Sequence, residues 1–206
     1  MKKKMIIGTL CLGFILAGCT SNNKSLETND QSQVSSETLN QSTTNESSKK
    51  TNEKAKLSEI KVTVEEAIKE YEKAYPNTTI TSLDLDTSFG SYYYEIEGVD
   101  DSKEYKVKIN AATAKTTKER EETLDREDQN GVEKEKSALN LKELQSLEEV
   151  SKIAQESAGQ GEAVEWSLDQ ELSITYWEVK VRSENAEVSI KINAQTGEVV
   201  EKEIED

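Results

Sequence analysis

Apolar residues recur at helical spacing twice along this chain. Val64, Ala67, Ile68, Tyr71 and Tyr75 form one stripe, and Leu147, Val150, Ile153, Ala154 and Ala158 form another. Steps of three and four residues place each set on one face of a helix. Each stripe opens with a capping box, Thr63-Val-Glu-Glu66 and Ser146-Leu-Glu-Glu149, a hydroxyl at the N-cap and a glutamate three residues on. Pro76 and Gly159 stop the two helices at equivalent positions. The apolar period then changes from 3.6 to 2. Thr81, Leu83 and Leu85, then Tyr92, Tyr94 and Ile96, then Tyr105, Val107 and Ile109 alternate with polar residues. Val164, Trp166 and Leu168, then Thr175, Trp177 and Val179, then Val188, Ile190 and Ile192 repeat the pattern. Each half therefore predicts one helix followed by at least three antiparallel strands.

The two halves are copies. A shift of 83 residues aligns 61–123 with 144–206 without a gap and with 14 identities in 63 positions. The identities alone are few, but every helix, cap and strand signal recurs in phase with them. Each copy closes on a turn, Asn110-Ala-Ala-Thr-Ala114 or Asn193-Ala-Gln-Thr-Gly197. Gly197 supplies the positive φ such a turn commonly needs. Ala114 stands in its place in the first copy and predicts a different or strained turn. A short fourth strand follows each turn, less clearly in the first copy. The fold expected is α+β: two tandem modules at 57–123 and 141–206, each one amphipathic helix packed on a three- to four-stranded antiparallel sheet. A charged connection at 124–140 joins them, and the modules are expected to be separable folding units.

Strand alternation also selects a face. With Tyr94, Ile96, Val107 and Ile109 turned to the helix, Tyr93, Glu95, Lys108 and Asn110 point away. All four recur, as Tyr176, Glu178, Lys191 and Asn193. The pairing sets Glu95 opposite Lys108 and Tyr93 opposite Asn110. Such cross-strand pairs fix register; they also make Tyr93, Glu95, Lys108, Tyr176, Glu178 and Lys191 the candidate binding face.

The N-terminus belongs to targeting rather than to the fold. Lys2, Lys3 and Lys4 precede an apolar run, Met5 to Leu16, too short to span a bilayer. It ends in Leu16-Ala17-Gly18-Cys19, which resembles a bacterial lipobox, with cleavage between Gly18 and Cys19 and lipidation of Cys19. Residues 1–18 are then a signal peptide. From Thr20 to Asn52, 23 of 33 residues are Ser, Thr, Asn or Gln, so 19–56 reads as a disordered tether holding a folded head off the membrane, in the Gram-positive manner.

Composition then excludes chemistry. The chain has no histidine, and its two cysteines are Cys11, inside the signal, and Cys19. Histidine-based triads, thiol nucleophiles, disulfides and thiolate or imidazole zinc sites are therefore excluded from the mature protein. No cofactor is expected, and the reading is of a protein that is not an enzyme. Removing the three signal lysines takes the formal charge from −15 to −18. That charge repels nucleic acid and anionic lipid headgroups. One stretch, Asp84-Leu-Asp86-Thr-Ser88-Phe-Gly90-Ser-Tyr92-Tyr-Tyr-Glu95, has oxygen-bearing residues spaced like an EF-hand. Its glycine is one place late and strands flank it. A hairpin turn around Gly90 accounts for it better, and no metal is assigned.

The capped helix, the strands and the closing turn Asn193-Ala-Gln-Thr-Gly197-Glu198-Val199 together resemble the PepSY domain. The resemblance covers both copies and neither the signal nor the tether. It departs from the family in beginning both turns with Asn where Asp is usual. The family has no catalytic motif, so no functional residue carries over. The resemblance implies an exported, non-catalytic module that restrains, inhibits or chaperones a cell-envelope peptidase, anchored to the membrane through Cys19. The alternatives are a structural or adaptor lipoprotein binding a wall polymer or envelope complex, and a calcium-dependent envelope protein.

Overall fold

The structure, a computed structural model, describes residues 57–205. The signal, Gly18, Cys19 and the tether lie outside the described residues. Both predicted capping boxes form. Thr63 Oγ1 accepts from the Glu66 amide at 3.2 Å, and the Glu66 carboxylate accepts from the Thr63 amide at 2.9 Å. Ser146 and Glu149 do the same at 3.3 and 3.0 Å. These start α1 (Val64–Ala74) and α3 (Leu147–Ala158). Gly159 ends α3 in the left-handed conformation that glycine adopts most cheaply. The first repeat continues with β1 (Thr79–Ser88), β2 (Ser91–Val99), β3 (Lys103–Asn110) and β4 (Thr116–Thr123). The second continues with β5 (Glu162–Glu171), β6 (Ile174–Arg182), β7 (Glu187–Asn193) and β8 (Val199–Glu205). The connection carries a short helix, α2 (Val132–Ser137), and packs Leu139 against the core, as Leu141 and Leu144 do just beyond it.

The expectation of two modules, each with its own small sheet, is overturned. All strands join one eight-stranded antiparallel sheet in the order β4-β3-β2-β1-β5-β6-β7-β8. The seam is β1 against β5, with Leu83 opposite Leu168, Asp84 opposite Ser167 and Leu85 opposite Trp166. The 83-residue shift carries Asp84 onto Ser167, so these two face each other as counterparts, while Leu83 faces the counterpart of Leu85 and Leu85 the counterpart of Leu83. A pseudo-two-fold axis passes through the Asp84–Ser167 pair, as in an isologous dimer written on one chain. The physical reason lies in the four apolar partners. Leu83, Leu85, Trp166 and Leu168 are all fully buried. Left as two edges, β1 and β5 would expose these side chains and a row of unpaired backbone groups; pairing removes both costs. One hydrophobic cluster accordingly runs through both repeats.

Two finer points differ from the alternation. Thr81 and Val164 do not point inward, because a β-bulge at each lets Ile80 and Ala163 take the core positions. The fourth strands are both present and form the two edges of the sheet. Each sends a lysine to a helix C-terminus: Lys118 Nζ donates to the Ala74 carbonyl and Lys202 Nζ to the Ser157 carbonyl, both at 2.8 Å. The closing turns share one geometry. Ala114 N donates to the Asn110 carbonyl and Gly197 N to the Asn193 carbonyl, each at 2.9 Å. Ala114 has φ 58° where Gly197 has 74°, so the first turn is strained but not different.

Candidate binding face

The core side of the sheet carries both long helices, and the polar alternates of every strand point the other way. The predicted register holds there. Tyr93 is opposite Asn110 and Glu95 opposite Lys108; Tyr176 is opposite Asn193 and Glu178 opposite Lys191. Tyr94, Ile96, Val107 and Ile109 are buried beneath them, as are Trp177, Val179, Ile190 and Ile192.

In the first repeat the three candidate side chains act together. Lys108 Nζ donates to Glu95 Oε1 at 2.8 Å and lies 4.9 Å from the centre of the Tyr93 ring. Lys106 takes the other Glu95 oxygen at 2.5 Å, and Arg120 bridges Glu97 and Glu104 at 3.0 and 3.2 Å. Burial tends to raise the Glu95 pKa, but the hydrogen bonds from Lys106 and Lys108 outweigh it and hold the carboxyl below its usual value. Tyr93, Lys108 and Asn110 also line a depression of about 210 Å³ with Thr113, Lys115, Thr117 and Glu119.

The second repeat keeps the ring contact and changes the ion pair. Lys191 lies 4.9 Å from the centre of the Tyr176 ring, the distance seen in the first repeat. Its ammonium bonds Glu171 at 2.5 Å, so Glu178 stands opposite it in register without being its ion-pair partner. The lysine-over-tyrosine contact is thus the feature common to both repeats. Each such contact contributes on the order of 0.5 to 1 kcal/mol at a surface, and the partly exposed ion pairs beside it contribute up to about 1.

Between these two clusters, at the pseudo-two-fold axis, sits Asp84. Burial raises its pKa to about 7, helped by the neighbouring charges of Asp169, Glu97 and Glu95 and opposed by Lys106. Sequence reading saw Asp84 only as a possible loop ligand, because nothing in one strand reveals which strand lies beside it. The EF-hand-like stretch is a two-residue hairpin. Asp84 pairs with Glu95, Asp86 with Tyr93 and Ser88 with Ser91, leaving Phe89 and Gly90 as the turn. The spaced oxygens are therefore strung along two strands instead of gathered round one point. Among the described residues, Asp125, Glu127 and Asp128 of the connection do bring carboxylate oxygens within 4.8 Å of one another, at the surface.

The opposite side of the sheet holds a cleft of about 540 Å³ between the starts of α1 and α3. Residues 61–65 and their counterparts 144–148 line it, so it too straddles the axis. Sequence reading also missed Ser151. This buried serine, on the core side of α3, donates to the Leu147 carbonyl at 2.5 Å and accepts from the Trp166 indole at 2.9 Å. A serine within the helical stripe was the available signal.

This surface offers a partner aromatic rings, fixed ammonium groups and carboxylates. No helix among the described residues is long and apolar enough to cross a membrane.

Comparison with known proteins agrees with this picture. A search of curated proteins finds no match. One solved structure, a crystal structure of a "putative lipoprotein" from Clostridium difficile 630, superposes with a TM-score of 0.67 at 33% identity, over 71% of this chain and 95% of that one. The family described as "Peptidase propeptide and YPEB domain", PepSY, matches residues 61–120 and again 144–203. These two matches fall on the two repeats and span more than half of the sequence: the chain belongs to the PepSY family and carries the domain twice.

Proposed function

We propose that this protein is a membrane-anchored, extracytoplasmic binding module that restrains, inhibits or chaperones a cell-envelope peptidase and catalyses nothing itself. The observation that carries the reading is the double match to a family described by peptidase propeptides, in a chain that opens with a basic, apolar segment ending at Cys19. A propeptide works on a folded peptidase through a surface, so the relevant parts are those that present side chains without spending them on the core. Tyr93 and Tyr176 do so, each steadied by a lysine over its ring. An aromatic side chain held in this way loses little conformational freedom on binding. The neighbouring charges favour orientation and encounter over affinity.

The test uses the full-length protein in its own membrane. The wild type should co-purify with an envelope peptidase and change that peptidase's activity. Tyr93→Ala combined with Tyr176→Ala should weaken capture strongly while costing only the roughly 1 to 2 kcal/mol of stability that the two ring contacts contribute. Recovery of wall polymer in place of a peptidase would replace this reading with the adaptor one. Cys19→Ala should abolish lipid labelling and membrane retention, and normal retention of that variant would remove the anchor from the proposal.

A further inference from the structure

The two longest hairpins end in residues that their turns disfavour. The β1–β2 turn is Phe89-Gly90, with φ of 52° and 79°; the β5–β6 turn is Leu172-Ser173, with φ of 50° and 66°. A two-residue hairpin loop with positive φ at both positions is satisfied most cheaply by Asn-Gly or Asp-Gly. A bulky residue in that region is strained. Nothing in the fold offsets the strain, since Phe89 is fully exposed and Leu172 is 89% exposed. A lone exposed apolar residue needs no explanation. Here the 83-residue shift carries Phe89 onto Leu172, in repeats that share only 14 of 63 positions. Identity has been lost at the tip, while large apolar character, full exposure and unfavourable backbone have all been kept.

We infer that Phe89 and Leu172 are docking knobs, each seating in an apolar pocket with a basic rim on a partner protein. The rim follows from Asp86 and its counterpart Asp169, exposed carboxylates three residues before each knob. The same carboxylates, with the chain's net charge of −15, disfavour an anionic bilayer and a second copy of this chain as the receiving surface. Each knob lies five residues beyond the Asp84–Ser167 pair, in opposite directions along antiparallel strands. At about 3.3 Å per residue the knobs stand roughly 33 Å apart at opposite ends of the seam. One chain therefore engages two pockets at once.

This inference rests on the proposed function for the nature of the partner but not for the place of contact. The test is photo-crosslinking in cells producing the full-length protein, with p-benzoylphenylalanine at position 89 or 172 and, as control, at exposed Glu184. Both tip positions should give an adduct with another protein, and position 184 should not. Phe89→Asn with Leu172→Asn should reduce that partner's capture roughly tenfold or more while raising the melting temperature, because asparagine suits the turn. Absence of adducts at both tips, adducts with lipid or with a second copy, or a fall in melting temperature would each overturn the inference. An adduct with a protein other than a peptidase would retain the knobs and reject the proposed partner. Undiminished peptidase capture by the double asparagine variant would do the reverse.

Discussion

The Tyr71 hydroxyl lies over Gly98, in the space that a β-carbon on Gly98 would need. The second repeat solves the same packing problem the other way round, with Ala154 at the position of Tyr71 and Val181 at that of Gly98. All four are buried. Large over small in one repeat is small over large in the other, so total volume is kept and individual identities are lost. This is why the repeats share a fold with so few identical residues.

Gly98→Ala should therefore destabilise the protein by about 1 to 3 kcal/mol or more, the usual cost of overpacking. Adding Tyr71→Phe, which removes the clashing hydroxyl and keeps the buried ring, should recover only part of this, because the Thr79 carbonyl also lies 2.6 Å from the added carbon. Urea unfolding of the two variants measures both effects. A Gly98→Ala protein as stable as the wild type would mean that the Tyr71 ring does not pack as described.

The β1–β5 seam predicts one unfolding transition instead of two. Both tryptophans lie in the second repeat, and Trp166 sits at the seam opposite Leu85. Leu83→Ala, a change in the first repeat, should cost about 2 to 5 kcal/mol. It should also shift the tryptophan-detected midpoint as far as the one followed by circular dichroism. A variant in which tryptophan fluorescence keeps its original midpoint would show that the halves unfold independently.

The seam also marks where sequence reading stopped. Helix stripes, caps and strand faces were legible because each is a periodicity along one chain. Register between neighbouring strands followed from the same alternation, so Glu95–Lys108 and Tyr93–Asn110 could be paired in advance. Which strand edge meets which has no such signature. Leu83 and Leu85 read as facing a helix whether or not β5 lies beside them. For the same reason the unusual environment of Asp84 was invisible, and the bulges at Thr81 and Val164 were hidden by residues apolar or neutral enough to pass as inward. The lysine-over-tyrosine contacts were within reach, since diagonal neighbours on one sheet face follow from the register.

Asp84 should make stability depend on pH in an identifiable direction. Its folded pKa is raised from 3.8 to about 7, so the folded state holds a proton that the unfolded state releases. Below about 3.8 the group is neutral in both states and costs nothing. As pH rises toward 7 the unfolded state ionises first and stability is lost, with the loss complete above the folded value. Asp84→Asn should thus leave the melting temperature unchanged near pH 3.5 and raise it progressively between pH 4 and pH 8. Asp169, Glu97, Glu95 and Lys106 are common to both proteins, so the difference isolates Asp84. An increase of equal size at both ends of the range would refute the buried-carboxyl account.

The two tryptophans offer the last comparison. Trp166 and Trp177 are both fully buried, so replacing either with phenylalanine removes a similar apolar volume and leaves a similar cavity. They differ in one hydrogen bond. The Trp166 indole donates to Ser151 at 2.9 Å, whereas the Trp177 indole nitrogen has no partner among the described residues. A buried donor without a partner costs on the order of 1 to 3 kcal/mol, and a satisfied one contributes about 1. Trp177→Phe removes a polar group that the core does not use, and that relief offsets part of its cavity. Trp166→Phe forfeits a bond and gives the Ser151 hydroxyl nothing in return. Trp166→Phe should therefore be the more destabilising by at least about 1 kcal/mol, read from guanidinium midpoints by circular dichroism. Equal losses would mean that Trp177 finds a hydrogen-bond partner in solution, and a larger loss at Trp177 would place the better-packed core around Trp177.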